Sequence, residues 1–159
     1  MQDGNFVYLT RERLFELERE LKEMKTNGRK NIAAKIAEAR AHGDLSENAE
    51  YDAAKEEQGL FELKISKLED VLRRASLIDS SQFSTDSIHI LSKVQIKNIK
   101  TNKIFDYLLV SPEEADFQEG KISITSPVGQ GLLAKKVGDK VIVKAPAGIL
   151  EFEVLSINK

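Results

Sequence analysis

From Thr10 onward the apolar residues fall on one side of a helix. Leu14, Leu17, Leu21 and Met24 recur at spacings of three and four, the stripe of an amphipathic helix. The stripe passes through Gly28 and resumes at Ile32, Ile36 and Ala39. Its added spacings of four depart from a strict heptad, a stutter expected to unwind a supercoil locally. Thr10 is the expected N-cap, and Gly43 the residue that ends the helix. A second stripe alternates spacings of three and four throughout: Tyr51, Ala54, Gln58, Phe61, Ile65, Leu68, Leu72 and Ala75, with only Gln58 polar. That is a sustained a/d seam, with Glu, Lys and Arg crowding the positions between. Two helices joined by a short turn run antiparallel. About 30 residues per arm at ~1.5 Å each predicts a stalk on the order of 45 Å long.

After Asp79 the periodicity changes. Ser80 to Ser87 is a polar connector, and beyond it come short β-branched or alternating runs at Val94–Ile99, Ile104–Val110, Ile122–Thr125, Val141–Lys144 and Ile149–Ile157. Turns are signalled at Thr101-Asn102, Ser111-Pro112 and Pro146-Ala147-Gly148. Pro127–Lys136 reads as a short helix with Leu132 and Leu133 inward. The expected class is α+β: a long antiparallel α-helical coiled-coil hairpin over residues 1–79, its tip at about 42–48, followed by a small β-rich domain over 80–159.

Charge and composition narrow the function. Net charge is -2 over 159 residues; residues 1–79 carry 14 basic and 17 acidic side chains, residues 80–159 carry 10 and 9. Neither half is the polycation that coats nucleic acid, so any such contact is local. With no Cys, disulfides, thiol catalysis and Cys-based zinc sites are excluded. No signal-like segment opens the sequence and no apolar run reaches the ~18–20 residues a membrane span needs. The expected setting is the cytoplasm, with no membrane partner.

The candidate chemistry lies at the tip, in the run Gly43-Asp44-Leu45-Ser46-Glu47-Asn48-Ala49-Glu50-Tyr51. Two readings stand. Asp44-x-x-Glu47 has the pattern of a capping box at a helix start, with carboxylates facing the positive end of the helix dipole. Alternatively, two carboxylates three residues apart reach one ion. Hard divalent cations want about six oxygens, so such a tip is half a Mg²⁺ site, completed by a partner's carboxylates or a substrate phosphate. Arg40 and Lys55 stand near the tip, where they can touch a phosphate backbone, with Lys35, Arg29 and Lys30 further down. The competing role for each is an ordinary solvated charge paired with a Glu. His42 reads as a solvated residue at a helix C-terminus. Tyr51 packs in the first seam layer or orients RNA.

This run, with Ala39-Arg40 before it and Ala53-Ala54-Lys55-Glu56 after it, strongly resembles the tip of the Gre transcript-cleavage factors. Ser126-Pro127-Val128-Gly129, Leu132 to Asp139, and Glu113-Glu114-Ala115-Asp116-Phe117 are similar to the same family's globular part. The resemblance extends from about Leu9 onward. It implies a coiled coil joined to an FKBP-like domain that docks on bacterial RNA polymerase. The coiled coil enters the polymerase's secondary channel, and Asp44 and Glu47 help hold a catalytic Mg²⁺ in the polymerase's own active centre. Cleavage of the backtracked RNA 3′ segment follows, so the protein is an accessory factor and not itself an enzyme. By position, Arg40, Lys55 and Tyr51 contact the RNA, and Asp116, Ser126 and Pro127 belong to the docking surface. The isolated protein is expected to be a monomer without bound metal. Lys30 stands where the family commonly has Pro, Gly131 where Ala is usual, and Ala134 where Gly is usual.

Three rival readings predict different behaviour. An inhibitory channel factor would dispense with the Asp44/Glu47 pair. A structural adaptor would tolerate replacement of both. A peptidyl-prolyl isomerase would need a pocket of clustered aromatics, whereas Phe105, Tyr107, Phe117 and Phe152 look scattered along the sequence.

Overall fold

The first helical arm is continuous but not uniform. The computed structural model describes residues 6–43, 48–79 and 84–158; Asp44, Glu47 and part of the Ser80–Ser87 connector lie outside them. Helix α1 (Arg11–Glu23) begins one residue after Thr10 and leads into a π-helical turn at Met24–Gly28, from which α2 (Arg29–Ala41) continues with helical dihedrals at Gly28 and Arg29. The return arm is one helix, α3 (Ala49–Arg73). The stutter read from the sequence falls on this turn. Each spacing of four carries a stripe about 40° around an α-helix, because 3.6 residues make a turn. Three such steps succeed one another from Met24 to Ile36. The π turn closes i→i+5 and turns the chain less per residue, so it brings the stripe back into phase locally. Thr26 supports it by donating its hydroxyl to the Lys22 carbonyl at 2.8 Å.

All the stripe residues on both arms are buried or half-buried, including Leu17, Ile32 and Ala39 on the first and Ala54 and Ile65 on the second. Gly28 has a specific reason to lack a side chain: a Cβ there would overlap the ring of Phe61 on α3. Across the seam, Lys25 pairs with Glu69 (2.7 Å), Arg29 with Glu62 (2.8 Å) and Lys35 with Glu57 (2.8 Å). First-arm numbers climb as their partners' numbers fall, so the arms are antiparallel. The second stripe overran its helix at one residue, Ala75, which belongs to a strand.

Glu12–Arg74 forms one compact unit; the other contains β1 (Val7–Leu9), β2 (Ala75–Leu77) and the rest of the described chain. The boundary expected at Asp79 thus falls beyond a strand that the second unit claims. In that unit β1 and β2 pair in parallel, Val7 opposite Ala75 and Leu9 opposite Leu77. Val7 and Leu9 are fully buried, and the Tyr8 N–H donates to the Ser111 hydroxyl at 3.0 Å.

The main sheet has five strands: β3 (Lys93–Asn98), β4 (Ile104–Val110), β5 (Lys121–Ser123), β6 (Lys140–Ala145) and β7 (Gly148–Asn158), in the order β5-β4-β3-β7-β6. The β4–β5 pair is parallel and the others antiparallel. Every strand run read from the sequence is present within a residue or two at each end. Alternation sends Val94 and Ile96 of β3, Val141 and Val143 of β6, and Phe152 and Val154 of β7 into one core. Ile157 joins them three residues after Val154. The β3–β7 register jumps there, from Gln95 opposite Ser156 to Ile96 opposite Val154, and the extra residue, Leu155, resets which face the strand buries. Helix α4 (Pro127–Leu132) packs on β6, with Leu132 fully buried. It ends earlier than the Lys136 expected, because Leu133 leaves helical geometry and Ala134 adopts a left-handed φ of 67°. Among the described residues no helix is long and apolar enough to cross a membrane.

These placements have measurable consequences for stability. Ala134 bears the steric cost of a left-handed backbone that glycine avoids, so Ala134→Gly should stabilise the globular unit by about 0.5–1 kcal/mol, read as a rise of a few degrees in Tm. In the Arg29–Glu62 pair, the hydrogen bond from Arg29 holds the Glu62 carboxyl below its ordinary value of 4.5. A lowered folded value stabilises above 4.5 and loses that contribution as pH falls through the lowered value. Thermal melts should therefore show less acid sensitivity between neutral pH and pH 3 in Glu62→Gln than in the parent chain.

Candidate functional site

The mouth of the hairpin is tied shut by side chains on both arms. Helix α2 ends with the N–H groups of His42 and Gly43 donating to Ala39 and Arg40 carbonyls, and Gly43 takes a φ of 113° that favours glycine. Across the gap, α3 starts at Ala49 and its N-cap is Asn48. The Asn48 Oδ1 accepts from the Tyr51 N–H at 3.0 Å, and its Nδ2 donates to the Ala39 carbonyl on the opposite arm at 2.6 Å. The N-cap place is therefore Asn48's, which corrects the capping-box reading of Asp44 and Glu47: the helix begins too late for Asp44 to hold it. Glu50 and Asp52 supply the negative charge in the first turn.

Arg29, Lys35, Arg40 and Lys55 sort into two groups, and Lys30 is exposed. Arg29 and Lys35 have Glu partners across the seam, the ordinary surface role weighed for them. Arg40 instead lies over the ring of Tyr51, 5.7 Å from its centroid. Stacking uses none of the guanidinium's N–H donors, so they remain suited to a phosphate. Lys55 stands one helical turn beyond Tyr51 and donates to the neutral Gln58 side chain at 2.9 Å, a bond that leaves its charge uncompensated. Tyr51 is half-buried, so it both packs in the seam and carries Arg40. The structure thus brings Arg40, Tyr51 and Lys55 to one end of the hairpin, beside the run containing Asp44 and Glu47. His42 is exposed and its Nε2 lies 3.7 Å from a Glu50 oxygen. Among the described residues no group of three or more His, Asp or Glu stands close enough to hold a metal ion.

In the globular unit, Asp116 and Ser126 flank β5. Asp116 caps a short 3₁₀ turn, Phe117–Glu119, by accepting from the Gln118 N–H at 3.2 Å, and its backbone bridges to Lys121. Ser126 caps α4 by accepting from the Gly129 N–H at 3.0 Å, while its own hydroxyl donates to the Ser123 carbonyl at 2.7 Å. Pro127 occupies the first helical turn, where its missing N–H costs nothing. Gly129 is buried so tightly that a Cβ would collide with the Ser123 carbonyl. Asp116 and Pro127 are exposed. The aromatics that looked scattered touch one another in a row: Phe152 edge-on to Phe105 (6.4 Å between centroids), Phe105 stacked on Tyr107 (5.6 Å), and Tyr107 tilted toward Phe117 (6.3 Å). The row runs from the buried Phe152 to Phe117, which is 77% exposed. Burial pushes the Tyr107 hydroxyl pKa up. Alternating positions on β4, with Phe152 on β7 beyond the intervening β3 and Phe117 in the turn before β5, bring these rings together, which linear spacing does not reveal.

Two site residues escaped the sequence reading. Asn48 immediately precedes a helical run and is of a strong capping type, a signal masked by the nearby D-x-x-E pattern. Phe117 adjoins Asp116 but shows itself only through exposure. Because Ser126 caps and braces α4, Ser126→Ala should cost about 1 kcal/mol or more of stability, seen as a lower Tm, whereas Asp116→Asn keeps a competent cap and should melt close to the parent.

The chain matches two family models end to end: the N-terminal domain of transcription elongation factors over residues 7–77, and the GreA/GreB C-terminal domain over residues 83–159. It is 53% identical over 151 residues to the transcription elongation factor GreA of Amoebophilus asiaticus, spanning 95% of this chain and 96% of that protein. It is likewise 53% identical over 152 residues to GreA of Flavobacterium psychrophilum, spanning 96% of each. Among solved structures it is similar to GreA factor homolog 1 of Thermus thermophilus, at 31% identity and a TM-score of 0.43, covering 97% of this chain and 99% of that one. With matched models across both halves and relatives above half identity over nearly its whole length, the chain belongs to the GreA/GreB transcription elongation factor family.

Proposed function

We propose that the protein is an accessory factor that binds bacterial RNA polymerase and stimulates the polymerase's own Mg²⁺-dependent cleavage of backtracked RNA. The observation that carries this reading is that two antiparallel helices come together at Gly43 and Asn48, the residues that bracket Asp44 to Glu47 in the sequence, in a chain of the elongation-factor family. With the N-cap supplied by Asn48, the Asp44 and Glu47 carboxylates are not needed to start α3. A paired helix stalk is narrow enough to enter a channel that a globular domain cannot.

In this reading the hairpin is a coiled coil that enters the secondary channel. Asp44 and Glu47 contribute carboxylate oxygens to a Mg²⁺ whose remaining ligands belong to the polymerase and the RNA, which meets the ion's demand for about six oxygens. When bound there, the ion supplies activation of the attacking water and charge neutralisation at the phosphate. Arg40 and Lys55 neutralise the phosphates of the extruded 3′ segment, and Tyr51 holds Arg40 in place and orients the RNA. Asp116, Ser126 and Pro127 form the polymerase-docking surface of an FKBP-like domain, and the exposed Phe117 adds apolar area beside them. The protein acts as a cytoplasmic monomer and performs no chemistry alone.

The test uses a stalled, backtracked polymerase with labelled RNA and Mg²⁺. Asp44→Asn and Glu47→Gln should each lower the cleavage rate by roughly a hundredfold while competing normally for polymerase. Pro127→Ala should weaken binding and leave the hairpin's helicity intact. Unchanged cleavage in both tip variants refutes metal assistance, and unchanged affinity in Pro127→Ala moves the docking surface elsewhere.

A further inference from the structure

Strand β6 is the outermost strand of its sheet, paired among the described residues only with β7. Val141 and Val143 face the core, where α4 lies so close that a Cβ on Gly131 would stand 3.1 Å from each side chain. Lys140, Ile142 and Lys144 alternate with them and are exposed on the other face. Their backbone groups are free as well. The Val154 N–H donates to the Asp139 carbonyl at 3.0 Å, and ladder bonds alternate along an antiparallel pair. The N–H and C=O groups of Lys140, Ile142 and Lys144 therefore turn away from β7, toward the open edge.

The edge thus repeats one pattern: a cation, an isoleucine 65% exposed, and a second cation, each beside an outward amide. Ile149, opposite Lys144 on β7 and 57% exposed, widens the apolar middle. Among the described residues neither lysine is in an ion pair, although Glu153 stands opposite Lys140. From β3 through β7 to β6 the row Lys97, Glu153, Lys140 alternates in sign, and its next place lies beyond the edge. Lysines on an edge strand commonly bar pairing between copies. Two β6 strands overlapped antiparallel about Ile142 would set lysine against lysine, which is unfavourable. That bar does not extend to an acidic strand.

We propose that the β6 edge is a docking site for an extended segment of a protein partner, one in which an apolar residue has Glu or Asp two positions away on each side. Added antiparallel as a sixth strand, the segment takes the outward amides as ladder bonds. Its apolar residue lies beside Ile142, and its carboxylates meet Lys140 and Lys144, which continues the alternation of charge. The site is independent of the tip carboxylates and of the cleavage reading.

The probe is a fluorescein-labelled peptide, Ser-Glu-Thr-Val-Thr-Glu-Ser, titrated against the full chain, with a control carrying Lys for both Glu. Anisotropy reads affinity, and hydrogen exchange reads which amides are covered. The acidic peptide should bind, weaken with added salt, and slow exchange at Lys140, Ile142 and Lys144 while leaving α1–α3 unchanged. The double variant Lys140→Glu/Lys144→Glu should bind the acidic peptide roughly tenfold more weakly and prefer the lysine control. Ile142→Thr keeps a strand-forming residue and both lysines, and should also weaken binding. All three positions are exposed, so each variant should melt near the parent. The proposal is overturned if the acidic peptide binds no more tightly than its lysine control, if slowed exchange falls outside β6, or if the double variant binds like the parent. A parent chain that sediments as a dimer with its β6 amides protected assigns the edge to a second copy. Single-stranded RNA that protects those amides more strongly than the peptide assigns the lysines to phosphate. Either result also overturns it.

Discussion

Two helical arms of this length stay together only while their apolar stripes keep facing each other. The second arm meets that demand through sequence alone, with its strict alternation of threes and fours. The first arm does not, because its consecutive fours rotate the stripe away. The π turn at Met24–Gly28 restores the phase, and the Phe61 ring occupies the space that Gly28 leaves empty. The rest of the stalk depends on that correction. Ile32 and Ala39 are buried, the cross-seam pairs find their partners, and the arms reach the tip close enough for Asn48 to bridge them.

The globular unit solves a similar problem by different means. Strand β7 must bury Phe152 and Val154 and then Ile157, a spacing that strict alternation forbids. A bulge opposite Gln95 and Ile96 absorbs the odd residue. The same sheet aligns Phe105 and Tyr107 two residues apart on one strand and Phe152 on another, producing a continuous row of rings from the core to the surface. Caps then hold the exposed segments: Asp116 and Ser126 each commit a side-chain oxygen to a backbone N–H. Residues read as contacts for a partner are thus also what keeps their own loops in shape, and a defect in either can pass for a defect in docking.

Charge is arranged so that the shaft and the mouth differ. Along the shaft, Lys25, Arg29 and Lys35 meet carboxylates across the seam. At the mouth, Arg40 meets a ring and Lys55 a neutral amide, so positive charge persists beside the acidic run. In the proposed role phosphate and metal are both presented by a partner, a role that a net charge of -2 does not oppose.

Periodicity determined the class, the two antiparallel arms, the five strands and the inward Leu132, because repeat spacing and alternation are set by covalent geometry and local sterics. The tip run and the segments around Asp116 and Ser126 were legible too, since they are contiguous. Where residues distant in sequence must share space, only the tertiary structure decided. The parallel pairing of β1 with β2 joins the segments that precede and succeed the two arms, and neither three-residue run carries a strand signal of its own. The helix starts after Asn48, whose oxygen caps it locally, but only the tertiary structure shows the second bond of its amide to Ala39 on the opposite arm. Ala134 took a left-handed backbone because both its N–H and the neighbouring Lys135 carbonyl bond to Ile88. At Ala134 long-range hydrogen bonds outweighed a local backbone preference; at the β1–β2 pair and at Asn48 they joined segments whose meeting no local pattern encodes.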